Sequence, residues 1–179
     1  MYFFMKLRAI NLFLTLLFPL AIVNGQQTIF NVPTSDVLDR GKVYVELDAA
    51  FKIDKTDDFG RFSSFVPRLV VGAGNNVEVG VNVTGNIQPG DDQTTLVPTV
   101  KWRFYQNQEK DISLYAGTNV LIPVRNRSYN IGSYSYAAMS KTFGKTRLTA
   151  GGFVASKNVF ASKAVRSGGQ FGIEHTING

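Results

Sequence analysis

The chain has 179 residues, no cysteine, 44% apolar and 18% charged residues, and a formal net charge of +6. That length suits one domain of ordinary size, and the missing cysteine excludes a disulfide framework, a thiolate metal site and lipoprotein acylation. Charge content is below that of an ordinary soluble surface, and the excess falls to +4 without Lys6 and Arg8, too little to point to nucleic acid.

Residues 1–25 read as an export signal. Lys6 and Arg8 form a basic start, Ala9 to Val23 is a 15-residue, largely apolar stretch broken by Pro19, and Val23 and Gly25 are small enough for cleavage before Gln26. An anchoring helix is the alternative, but it needs about 20 apolar residues and no such break. Residues 26–40 form a lead-in segment with Pro33 and a polar Thr34-Ser35-Asp36 cluster. Ser35 or Asp36 is expected to cap a brief helical turn through Leu38.

Residues 41–179 form the main domain, and its pattern is strict alternation. Val43, Val45, Leu47, Ala49, Phe51 and Ile53 share one parity, opposed by Lys42, Tyr44, Glu46, Asp48 and Lys52. Val77, Val79, Val81 and Val83 oppose Asn76, Glu78, Asn82 and Thr84; Leu96, Pro98, Val100, Trp102 and Phe104 oppose Thr95, Lys101 and Arg103. A period of two belongs to strands with one apolar and one polar face. Eight strands are predicted over 41–54, 61–72, 76–85, 94–105, 111–124, 131–143, 146–157 and 168–177, each near the ~10 residues a tilted strand needs to cross a bilayer. In the sixth, Tyr134, Tyr136 and Ala138 share a parity that excludes Met139 and Phe143. Either a bulge shifts the register there or the faces are reversed.

Connection lengths add independent support. Gly72-Ala73-Gly74-Asn75 and Phe143-Gly144-Lys145 are tight turns, whereas 55–60, 86–93, 125–130 and 158–167 are longer and polar. Short turns on one side and long loops on the other are the asymmetry of outer-membrane barrels. The expected fold is therefore all-β, an antiparallel up-and-down transmembrane β-barrel with about eight strands in this chain. In that topology Phe51 and Phe65 fall near the outer interface and Trp102, Phe104 and Phe143 near the inner one, as a girdle of interfacial aromatics.

The polar parity carries the candidate lumen-facing groups Lys42, Glu46, Asp48, Lys52, Arg68, Glu78, Lys101, Arg103, Arg147 and Glu174. Charges persist in an interior only when paired or hydrated. Gly80, Gly117, Gly151 and Gly172 are expected to leave room there for Tyr44, Tyr105 or Tyr115. A soluble exported barrel with its apolar parity inward has the same alternation and is the competing fold.

Signals for chemistry are sparse. His175 is the only histidine, so a two-histidine metal site within one chain is excluded, and it falls on the apolar parity. Gly72-Ala73-Gly74 begins like a dinucleotide fingerprint, but Val77 replaces the third glycine and a strand follows. Asp54, Asp57, Asp58, Asp91 and Asp92 lie in long loops without the spacing of an EF-hand. No catalytic residue, metal or cofactor is assigned.

The exported start, Val32-Pro33-Thr34-Ser35-Asp36-Val37-Leu38 before Gly41, Glu78-Val79-Gly80-Val81-Asn82 and Gly172-Ile173-Glu174 give the chain a further likeness. It resembles bacterial outer-membrane β-barrel proteins described as transporters or phenol-degradation-pathway porins. The resemblance implies an integral outer-membrane protein that passes small or hydrophobic solutes, with outer-membrane lipid, the barrel-assembly and export machinery and a small-molecule solute as partners. Such barrels commonly finish on an aromatic residue, whereas this sequence reaches the hairpin signal Asn178-Gly179. The expectation is thus a piece of a larger barrel or an eight-stranded one that closes alone. A small structural or adhesive membrane barrel and an exported soluble ligand-binding barrel are the alternative functions.

Overall fold

The computed structural model describes residues 28–29, 32–52, 62–84, 87–88, 94–124, 131–157, 159 and 166–177. The export signal, all or most of each long connection and Asn178-Gly179 lie outside them. Eight main strands follow one another: β1 (Val43–Lys52), β2 (Phe62–Gly74), β3 (Val77–Thr84), β4 (Thr95–Asn107), β5 (Ile112–Pro123), β6 (Gly132–Phe143), β7 (Thr146–Ala155) and β8 (Ser167–His175). Each pairs antiparallel with its neighbours in sequence, giving one meander of order β8-β7-β6-β5-β4-β3-β2-β1. Alternation dictates this arrangement, since every strand has one apolar face that its neighbours continue.

The turns fix the register. Asn75 and Asn76 both have positive φ, 52° and 58°, as a two-residue hairpin turn requires. Gly144 (φ 57°) turns β6 into β7, and Asp111 (φ 51°) ends the four-residue turn Gln108–Asp111 between β4 and β5. All three short connections lie at one end of the sheet. Register shifts occur between Gly72 and Gly74 and between Arg103 and Tyr105. The second leaves both Phe104 and Tyr105 exposed, so Tyr105 does not lie over the interior glycines.

Three further expectations are corrected or resolved. Pairing through β6 is continuous on both sides, so no bulge is present there; Tyr134, Tyr136 and Ala138 share the buried parity and Met139 and Phe143 point the other way. The lead-in has no helical turn at Ser35 to Leu38. Instead, Thr28–Ile29 pairs with Val32–Pro33, and the segment continues without regular structure to Gly41. A two-residue strand, Ile87–Gln88, pairs with β2 inside the connection expected to be loop.

Burial is inverted relative to a soluble sheet. On the apolar parity Val43, Val45, Leu47, Leu69, Val79, Trp102, Phe143, Phe171 and Ile173 are between 43 and 65% exposed. On the polar parity Glu78 and Lys101 are only 5% exposed, and Tyr115 and Thr149 are fully buried. Soluble monomers rarely present so extended an apolar surface.

The lead-in is what buries the polar face. Thr34 is fully covered, and Ser35 and Leu38 nearly so. Asp36 reaches Arg147 on β7, while the Asp39 carbonyl rests against Gly72 on β2. In a flat sheet those strands would be about 24 Å apart at the usual strand spacing, whereas three residues of chain span at most about 11 Å. The sheet therefore curls around its polar face, with the lead-in in the concavity. Among the described residues no hydrogen-bonded pairing joins β1 to β8, so the sheet is an open curl and not a closed ring.

Candidate functional site

The concave face holds a layered polar network. Near β1 and β2, Arg68 Nη1 donates to Glu46 Oε2 at 2.6 Å and its Nε to Asn82 Oδ1 at 3.2 Å. At the centre Lys101 Nζ lies 2.8 Å from Glu78 Oε1, with both side chains only 6% exposed. Glu78 Oε2 also accepts the Leu38 backbone N–H at 3.0 Å. Toward β8, Arg147 joins two carboxylates. Its Nη1 and Nη2 donate to Asp36 Oδ1 and Oδ2 at 2.7 and 2.8 Å, and its Nε donates to Glu174 Oε2 at 3.2 Å. That two-pronged contact matches the planar fork of a guanidinium to a carboxylate.

The lead-in is thus held at both ends and in the middle. Tyr115 Oη donates to the Pro33 carbonyl at 2.6 Å. Gly41 N–H donates to the Gly72 carbonyl and Gly72 N–H to the Lys42 carbonyl, each at 2.9 Å. A Cβ at Gly72 would sit 2.0 Å from the Asp39 carbonyl oxygen, so only glycine admits the segment there. Gly117 makes room for a tyrosine as expected, but the ring over it is Tyr136, whose Oη would be 2.4 Å from a Cβ. Tyr136 also packs edge-on against Tyr115, their centroids 6.4 Å apart.

Two small polar cavities flank the lead-in. One of about 90 Å³ is bordered by Pro33, Arg68, Glu78, Asn82, Asn119 and Tyr136. The other, about 160 Å³ and at the short-turn end, is bordered by Ser35, Asp36, Arg103, Ser113, Thr142 and Arg147. A larger open depression of about 650 Å³ beside Tyr136, Phe153 and Val154 on β6 to β8 has no charged group in its lining.

All ten charged candidates have the parity of the concave face. Glu46, Arg68, Glu78, Lys101, Arg147 and Glu174 enter the ion pairs above, and Arg103 Nη2 donates to Asn76 Oδ1 at 2.9 Å. Lys42, just before β1, and Asp48, at its middle, are exposed, and the Lys52 side chain lies outside the described residues. Of the aromatic candidates, Trp102, Phe104 and Phe143 are exposed on the apolar face at the short-turn end, Phe65 is exposed on it at the other end, and the Phe51 side chain is not described. Trp102 and Phe104 lie 5.5 Å apart by centroid, and Lys141 Nζ sits 5.0 Å over the Phe143 ring. His175 points outward, its Nδ1 2.8 Å from Thr146 Oγ1.

Asp36 is the functional residue that sequence reasoning missed. Its polar cluster suggested a cap, and no local signal marks its contact with Arg147, which lies 111 residues away. Searches against family models, curated proteins and solved structures return no match for this chain.

Proposed function

We propose that the chain is the wall of an integral outer-membrane β-barrel, with its apolar parity against lipid and its polar parity around a solute path that the lead-in closes in the resting state. The inverted burial is the observation that carries this reading. A sheet with exposed valine, leucine and phenylalanine on one side and a buried Glu78–Lys101 pair on the other has the polarity of a bilayer-embedded wall. The exposed aromatics at the short-turn end suit the interfacial level, where a ring's apolar body and polar edge are both accommodated. The open edges of β1 and β8 need strand partners in lipid, because unpaired backbone groups are costly there.

Fractionation tests the location. The full chain, expressed with its amino-terminal segment in a Gram-negative host, should sediment with the outer membrane, require detergent for release, and migrate differently on gels before and after boiling. Recovery in the soluble periplasmic extract without detergent would defeat the proposal. The filled interior also favours a second reading, a structural barrel that passes nothing. Planar-bilayer recordings separate the two, since a transporter should show conductance when the lead-in is released and a structural barrel should not.

A further inference from the structure

We infer that Arg147 and the adjoining cavity form a binding station for small carboxylates, and that Asp36 occupies it as a tethered ligand. The geometry of recognition is already on view. Both oxygens of a carboxylate are engaged by the two terminal nitrogens of one guanidinium, at 2.7 and 2.8 Å. Glu174 accepts from Nε of the same group and so fixes the plane of the fork. That carboxylate belongs to a segment without regular structure, not to the sheet.

The space beside it suits a free ligand. The cavity of about 160 Å³ is walled by Asp36, Arg147 and Arg103, with the hydroxyl residues Ser113, Ser140 and Thr142 around them. Arg68, Lys101 and Arg147 each face a carboxylate of the sheet, whereas Arg103 has only the Asn76 amide among the described residues. Its Nε is buried and has no hydrogen-bond partner. A half-buried guanidinium with an unused donor is incompletely satisfied, and an incoming carboxylate supplies both the acceptor and the charge. Asp111 also borders the cavity, on an exposed turn, and offsets part of its positive charge. A solute carboxylate that takes the Arg147 fork displaces Asp36 and loosens the lead-in, so binding and opening are one exchange. The role of that exchange in transport rests on the function proposed above; the exchange itself does not.

The chain has no cysteine, so Ser35→Cys gives a unique thiol at a position that is 5% exposed. In the purified full chain in detergent, maleimide should label this thiol slowly. Malonate should accelerate labelling saturably, with half the effect at about 10 mM, because it competes with a tethered carboxylate of millimolar effective concentration. Chloride at equal ionic strength should not. Asp36→Asn should label fast without malonate, and Arg147→Lys should blunt the malonate response. Thr34→Cys, at a fully buried position, serves as a second reporter should Ser35→Cys itself disturb the segment. Asp36→Asn as slow as the parent, or a parent indifferent to malonate while Asp36→Asn is fast, would overturn the inference. A protein that failed fractionation could still show the exchange, so the two ideas fail separately.

Discussion

Lys101 and Glu78 illustrate how a charge is kept inside this molecule. The ammonium and the carboxylate are both almost completely covered, and the second carboxylate oxygen accepts the Leu38 N–H. Desolvation of two ions is offset by their mutual attraction and by that third contact, and neither partner tolerates loss of the other. Replacing Lys101 with Met is therefore expected to destabilise the fold by about 3–5 kcal/mol, since the buried Glu78 carboxylate loses the cation that balances its charge. Denaturant titration in detergent measures it. The double change Lys101→Met with Glu78→Gln should recover most of that loss, because the uncompensated charge is gone while an amide still accepts from Leu38. If the double variant were as unstable as the single one, the pair would owe its effect to shape and not to charge.

At the scale of elements, the lead-in depends on Gly72 as well as on the side chains that hold it. The carbonyls of Leu38 and Asp39 would be 2.6 and 2.0 Å from a Cβ at that position, and those atoms are backbone, so they cannot rotate away. Gly72→Val is expected to cost about 1–3 kcal/mol by forcing the chain off the sheet. The thiol of a Ser35→Cys background should then become accessible without any added carboxylate, while the strand signal in circular dichroism persists. Unchanged protection would mean that the segment is held by Arg147 and Tyr115 alone. This contact also shows where sequence reasoning stops. Strand positions and faces were legible because a period of two is local: β1 to β8 fall within two residues of the predicted spans at every end. Gly72 read as turn chemistry and Asp36 as a cap, because close approaches between residues 33 positions apart (Asp39 and Gly72) and 111 apart (Asp36 and Arg147) leave no local period. The Phe104 bulge was likewise invisible, since apolar residues stand on both sides of the shift.

For the molecule as a whole, the decisive question is what covers the apolar face. Val45, Leu69 and Val81 are register partners across β1, β2 and β3, and with Pro98 of β4 they form a row at mid-height of the sheet. Leu69 is 43% exposed among the described residues. Water and lipid make opposite demands on such a position. In water, Leu69→Arg is a surface change worth no more than about 0.5 kcal/mol in either direction. In a bilayer, an arginine on the lipid face near the midplane costs about 2–4 kcal/mol. We expect the variant to lose that much in reversible unfolding from lipid vesicles, and its inserted, heat-modifiable fraction to fall. The same substitution at Val43, near the short-turn end where a long side chain reaches the headgroups, should cost about 0–1 kcal/mol. A depth-dependent penalty of this form arises only if the face that the alternation leaves uncovered is covered by lipid. Equal tolerance at Leu69 and Val43 would instead place this face in water, and the buried Glu78–Lys101 layer would then belong to a soluble sheet folded around its own lead-in.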